Sequence, residues 1–269
     1  MIKSVVSKEY QELQREIAEL QEKWMLQLDP ERIRLNHEKS AMEAGVPIAA
    51  LTAIDFEILL FLQWVDEVID LLIKNNPPLK PKLSEIGSLL NKETAILWME
   101  EAFAFNQLYF IAFAEEHGLE EWIPQFLAET ALRPYLRQIA EKVQPEIHRA
   151  VPGAGCPVCG EPARLAAVEE DGKKMIHCPR CLVHWSARRL ECSHCGNEDH
   201  QTIYFLEIEG DVTSKIQVCE ECNGYIKIID IRQYITKPQV TLLDLNSIHL
   251  DMVAQEHGYT CGGNKNETN

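Results

Sequence analysis

Four Cys-x-x-Cys turns constrain this chain more than any other feature. They are Cys156-Pro-Val-Cys159, Cys178-Pro-Arg-Cys181, Cys192-Ser-His-Cys195 and Cys219-Glu-Glu-Cys222. Such a turn curls backbone N–H groups toward its two sulfurs and points both at one ion. Two turns supply the four sulfurs of a closed tetrahedral site. The gap inside the first pair is 18 residues and inside the second 23, each long enough for a β-hairpin, while the link between pairs is 10. This spacing predicts two tandem zinc-ribbon or rubredoxin-like modules holding two metal ions. Neighbouring turns are expected to share an ion: Cys156, Cys159, Cys178 and Cys181 in one site, Cys192, Cys195, Cys219 and Cys222 in the other. A cross-braced pairing, first turn with third and second with fourth, is the rival arrangement. Four thiolates suit both Zn²⁺ and a single rubredoxin-type Fe, so the ligand set leaves the metal open.

The residues between the turns alternate as strands do. Arg164–Val168 and Lys174–His177 flank a turn ending in Gly172, and Thr202–Ile208 and Val212–Val218 flank Glu209-Gly210-Asp211. Turn, hairpin, turn is thus written twice. Tyr225–Asp230 reads as a further strand, Leu243–His257 as a helix ended by Gly258, and Gly262–Asn269 as a disordered tail.

The half before the cysteines has a helical period. Tyr10, Leu13, Ile17, Leu20 and Trp24 make one apolar stripe. Further helices are expected over Glu31–Glu43, Ala49–Lys74, Ser84–Leu90, Lys92–His117 and Glu120–Val143. The second of these is apolar nearly all round and so predicted to be buried, Asn91 should cap the fourth, and Pro134 should kink or split the last. Pro145–Gly155 reads as a linker. The expected fold is α+β and multidomain. A helical domain (1–147) precedes a first ribbon (156–190), a second ribbon (191–235) and a C-terminal helix (241–260) packed on the ribbons.

Charge narrows the function. Forty-two acidic and 26 basic residues give a formal charge of −16. After residue 150 there are 17 acidic and 11 basic residues, which leaves 25 and 15 before it, so both halves are acidic. General affinity for nucleic acid or anionic lipid is not expected, because both favour basic surfaces. A ribbon that binds nucleic acid would have only Arg188-Arg189 as a local basic cluster. The most apolar run, Ile58–Val65, is too short to span a membrane. The first ten residues lack a signal peptide's apolar core, and nine cysteines without one point to metal ligation in a reducing cytoplasm.

Other residues have plainer readings. A thioredoxin-like redox role would place one exposed turn beside a βαβ pattern, which is not seen. Cys261 reads as an unpaired bystander. His177, His184 and His194 adjoin the turns, but four sulfurs already complete each site, so they read as groups around the ligands. His249 shares a helix face with Leu245, Ile248 and Met252 and reads as a core or interface histidine. No nucleophile-base-acid constellation or phosphate loop is evident.

From about residue 153 to 260 the chain resembles the FdhE family of formate dehydrogenase accessory proteins. The carriers are Cys156-Pro-Val-Cys-Gly160, His177-Cys-Pro-Arg-Cys181 with Trp185, and Arg189-Leu-Glu-Cys-Ser-His-Cys-Gly196. Cys219-Glu-Glu-Cys-Asn-Gly-Tyr-Ile-Lys227, Asp244–Asp251 and Gly258-Tyr259 complete them. The chain departs from the family's usual glutamate at His184 and Gln217, and from its usual ending after Tyr259. The resemblance implies a cytoplasmic, non-catalytic helper that binds the catalytic subunit of formate dehydrogenase, with Fe or Zn in each four-cysteine site. A rubredoxin-like iron electron carrier is the alternative within the same ligand chemistry. His184, Trp185, Tyr225, Lys227, Asp244 and Asp251 are the candidate partner-binding residues, on an expected seam between helices and ribbons.

Overall fold

The computed structural model describes residues 5–36 and 39–263, so the expected tail from 264 on lies outside the described residues. In chain order the elements begin with α1 (Lys8–Met25), β1 (Ile33–Leu35), α2 (Lys39–Glu43), β2 (Thr52–Ile54), α3 (Ile58–Asn75), α4 (Lys80–Leu89), α5 (Lys92–Phe103), α6 (Gln107–Glu116) and α7 (Trp122–Val143). They continue with β3 (Leu165–Val168), β4 (Lys174–His177), β5 (His184–Ala187), β6 (Ile203–Glu207), β7 (Ser214–Cys219), β8 (Gly224–Asp230), α8 (Val240–Asn246) and α9 (Ile248–Glu256). Helices first, then a sheet with the cysteine turns, then C-terminal helices is the expected α+β order. The chain divides into two compact units whose ranges interleave in sequence. Lys8–Arg34 and Ala53–Gln138 form one, while Leu35–Thr52 joins the chain from Ile139 onward in the other.

The helical unit is built on aromatic packing. The α1 stripe buries Leu13, Ile17 and Trp24, and Trp24 stacks on Trp64 of α3 at 5.2 Å between centroids. Each indole N–H is satisfied: Trp24 donates to Glu67 at 2.8 Å and Trp64 to Gln27 at 3.0 Å. Only one face of α3 is buried, since Leu59 is 68% exposed, so the expectation of a helix buried all round is corrected. The helix also starts later than the apolar run suggests, at Ile58. Glu31–Glu43 is not one helix either. A 3-10 turn (Pro30–Arg32) gives way to β1, because the Arg32 carbonyl accepts from the Asp55 N–H at 3.0 Å instead of from its own helix.

Three further helical expectations are revised for local reasons. Lys92–His117 breaks into α5 and α6 where Phe105 turns left-handed (φ 59°) and Asn106 caps α6 through the Tyr109 N–H. Asn91 caps α5 as expected, accepting from Glu93 and Thr94 at 2.9 Å. In α7, by contrast, Pro134 sits inside one continuous helix. A proline deprives the carbonyl four residues back of its donor. That carbonyl, on Thr130, accepts from the side chain of Gln21 at 3.0 Å, while the other end of the same amide accepts from Arg137 at 3.0 Å.

In the second unit the two ribbons merge into one six-stranded sheet of order β5-β4-β3-β8-β7-β6. Every neighbouring pair is antiparallel except the central one, where β3 and β8 run parallel with Leu165 opposite Lys227. Alternation puts Leu165, Ile216, Val218, Tyr225 and Ile229 on one face, where Leu243 of α8 and Leu250 and Ala254 of α9 cover them. The expected C-terminal helix is broken at Ser247, whose hydroxyl bonds the Asp244 carbonyl. The stretch expected to be a linker is pinned: the His148 carbonyl accepts from the Ser186 N–H and hydroxyl, and the Gly153 N–H reaches Ser193. Residues 48 and 49 are held here as well, donating to the carbonyls of Pro157 and Val158 in the first cysteine turn.

Candidate metal centres

Each cysteine turn closes on itself. The residue after the second cysteine donates its N–H to the carbonyl of the first in three turns: Gly160 to Cys156, Leu182 to Cys178 and Gly196 to Cys192, at 2.8–2.9 Å. The residue following the second cysteine is left-handed in all four turns, at Gly160 (φ 77°), Leu182 (66°), Gly196 (75°) and Asn223 (52°). Glycine and asparagine suit that conformation and leucine does not.

The hairpins then bring the turns together as neighbours. Cys156, Cys159, Cys178 and Cys181 offer sulfurs that all lie within 4.8 Å of one another, and so do Cys192, Cys195, Cys219 and Cys222. The sulfur separations include 3.5 Å for Cys156–Cys181 and Cys159–Cys178, 3.6 Å for Cys192–Cys222 and 3.7 Å for Cys195–Cys219. A tetrahedron with metal–sulfur bonds of about 2.3 Å has edges of about 3.8 Å. The donor sets therefore fit a tetrahedral thiolate-bound ion. The first set is wholly buried, whereas in the second Cys195 is exposed.

The electrostatics ask for a cation. In the first set burial pushes the Cys156 and Cys181 thiols well up. Against the same burial, hydrogen bonds from neighbouring sulfurs and the charge of Arg180 hold Cys159 well below the usual range. In the second, burial pushes Cys192 up to about 12 and Cys222 higher still. Four sulfurs cannot all shed their protons side by side unless a bound ion balances them.

Several groups around the sulfurs were not legible in the sequence. Glu161 lies 3.5 Å from the Cys178 sulfur and pairs with Arg164, which pairs in turn with Asp244 at 3.0 Å. Asn197 donates to the Cys219 sulfur at 3.5 Å. A Cβ on Gly224 would stand 2.5 Å from the His194 ring and 3.1 Å from the Cys222 sulfur, so only glycine fits there. Their signal was proximity to a cysteine turn, which does not by itself separate a ligand's neighbour from an ordinary loop residue.

The histidines stand beside the sulfurs. His194 bonds the Tyr225 carbonyl at 2.9 Å, and His177 stacks on His184 at 5.5 Å. His249 lies 3.8 Å from Asp211, and Cys261 lies outside both sulfur sets. The candidate partner residues are turned inward. Trp185, Tyr225 and Lys227 are buried, with Lys227 at 0% exposure. The Lys227 ammonium bonds Asp244 and Asp251 at 2.7 Å each, and Tyr225 donates to Asp251 at 2.9 Å. His184 is half-buried, and the two aspartates keep thin outer edges of 17% and 18%. A patch presenting all six side chains to solvent does not exist in this fold; four of them join the sheet to α8 and α9.

Comparison with known proteins agrees with this architecture. Residues 190–266 match the family model described as FdhE, C-terminal domain. A protein FdhE homolog of Aquifex aeolicus is 32% identical over 228 residues, spanning 82% of this chain and 74% of that one. An FdhE homolog of Stutzerimonas stutzeri is 29% identical over 109 residues, covering 39% of this chain and 35% of its own length. The crystal structure of the FdhE protein from Pseudomonas aeruginosa superposes with a TM-score of 0.60 over 91% of this chain and 83% of that one, at 20% identity, a likeness of fold.

Proposed function

This chain belongs to the FdhE family, and from that premise we propose that it is a cytoplasmic accessory protein that binds the catalytic subunit of formate dehydrogenase and supports formation of the active enzyme. The observation that carries the non-catalytic part of this reading is the closure of both sulfur sets. Each offers four converging thiols and so has no open position for a substrate or an activated water. Bound Zn²⁺ or Fe would cross-link the hairpins, and iron would add one-electron chemistry. The exposed Cys195 makes the second site the one through which a redox signal would enter. The acidic balance argues against nucleic acid as partner, and among the described residues no helix is long and apolar enough to cross a membrane. Of the six candidate partner residues, His184 and the edges of Asp244 and Asp251 remain those able to touch another chain.

Deleting the gene should abolish formate oxidation while the catalytic polypeptide is still made. The tagged protein should capture that polypeptide in a pull-down. Full formate dehydrogenase activity in the deletion strain, with nothing of that enzyme captured, would refute the reading. Elemental analysis of the anaerobically purified protein should find two metal ions per chain.

A further inference from the structure

The sheet face turned away from α8 and α9 carries Val168, Lys174, Phe205, Gln217 and Ile228, by the same alternation that sends Lys227 to the helices. Over part of this face lies a cavity of about 850 Å³, lined by the cations Lys174, Arg189, Lys215 and Arg232 and by four carboxylates. Of these carboxylates Asp230 pairs with Arg232, Asp211 accepts from the Thr213 and Ser214 N–H groups, and Glu207 and Glu209 are exposed. That volume is in the range of small-molecule sites, roughly 300–1,000 Å³.

Lys174 is the unusual group in its lining. It is 6% exposed, yet its ammonium meets only neutral acceptors, the Gln217 side chain at 2.9 Å and the Glu191 carbonyl at 3.4 Å. Among the described residues no carboxylate pairs with it, in contrast to Lys227 on the other face, which has two. The charges of Glu191 and Cys192 act on it only from beyond contact distance. A buried charge without a contact ion pair is costly, and an ammonium has three donors of which these contacts use two. Arg189, also in the lining, is exposed and without an ion-pair partner among the described residues, whereas Arg188 beside it pairs with Glu198. Lys215 lies over the Phe205 ring at 4.4 Å, and the apolar part of the lining is Val168, Phe205, Ile208, Val212 and Ile228.

We propose that this cavity binds a small organic carboxylate, its anionic group on Lys174 with Arg189 at the mouth and its apolar body along Phe205 and Ile228. The site is separate from both sulfur sets and does not depend on the accessory role proposed above. One buried cation beside an apolar wall suits a small molecule more than a polypeptide strand, which would ask for a row of free backbone partners.

Benzoate and its neutral analogue benzamide probe the site, titrated into the full-length metal-loaded protein by calorimetry and by amide chemical shifts. Benzoate should bind saturably and benzamide at least tenfold more weakly, with shifts centred on Lys174, Arg189 and Phe205. Gln217→Glu should place a carboxylate beside Lys174 and weaken benzoate at least tenfold, with metal content unchanged. Arg189→Gln should weaken it severalfold and Arg188→Gln should leave it alone. The proposal is overturned if benzoate fails to saturate, if benzamide binds as well, if Gln217→Glu binds benzoate like the parent, or if only an acidic peptide binds.

Discussion

At the scale of single residues, two positions combine an unusual environment with a measurable cost. Leu182 occupies a left-handed slot that its counterparts fill with glycine or asparagine. An L side chain there costs roughly 1–2 kcal/mol, part of which glycine returns to the flexibility of the unfolded chain. Leu182→Gly should therefore raise stability by about 0.5–1 kcal/mol at unchanged metal content, checked by chemical denaturation of the metal-loaded protein. Lys174 is the second position. Desolvation lowers its pKa from 10.5 to about 8, against the weaker pull of Glu191 and Cys192. Between those values the unfolded chain holds a proton that the folded chain has released, so the contribution of Lys174 to stability rises with pH across the window. The gain is on the order of 3 kcal/mol. Denaturation midpoints measured at both ends of the window should rise in the parent, and Gln217→Glu should flatten that rise by keeping the lysine charged. An equal slope in both proteins would rule out Lys174 as its source.

Among the elements, α7 shows how a local rule is overridden. Proline inside a helix costs about 3 kcal/mol or more in isolation, yet α7 runs unbroken through Pro134. Gln21, on α1, supplies the donor that the Thr130 carbonyl lost, and it is itself oriented by Arg137. Gln21→Ala should cost about 1–3 kcal/mol, since it strands the buried Thr130 carbonyl and removes an acceptor of Arg137. Pro134→Ala restores an N–H for Thr130, so the same Gln21→Ala change made in that background should cost markedly less. A double-mutant cycle in urea reads the coupling directly, and strict additivity would show that Gln21 does not serve the proline. Nothing in the sequence marks out this amide, because its partner lies more than a hundred residues away.

For the whole molecule, the shared sheet ties the two metal centres to one another. The parallel pairing of β3 with β8 joins the ribbons by backbone hydrogen bonds. A chain of ion pairs then runs from Glu161, beside the first sulfur set, through Arg164, Asp244 and Lys227 to Asp251. Hydrogen bonds continue it from the Tyr225 hydroxyl to Asp251 and between the Tyr225 carbonyl and His194 in the third turn. Two independent ribbons would each lose one ion when one of their cysteines is changed. In the sheet observed, Cys178→Ser should drop the metal content from two ions to below one per chain, measured by elemental analysis. Retention of one full ion would show that the ribbons stand alone. Chelation should melt the β-signal of circular dichroism while the aromatic packing of Trp24 on Trp64 preserves the helical signal.

The sequence by itself determined the eight sulfur ligands, the two hairpins between the turns, the helical character of the first half and the family resemblance. Each of these rests on short-range information: a two-residue spacer, a period of two or 3.6, a motif read in order. The tertiary structure decided what depends on distant partners. It chose neighbouring over cross-braced pairing of the turns. It assigned Leu35–Thr52 to the unit of the sheet, because the N–H groups of residues 48 and 49 found carbonyls in the first cysteine turn. It fused the ribbons through β3 and β8, turned Lys227 and Tyr225 inward onto α8 and α9, and left Lys174 on neutral acceptors on the opposite face. Hydrogen bonds and ion pairs between residues far apart in the chain leave no period and no spacing to read, so only the folded chain reveals which groups they join.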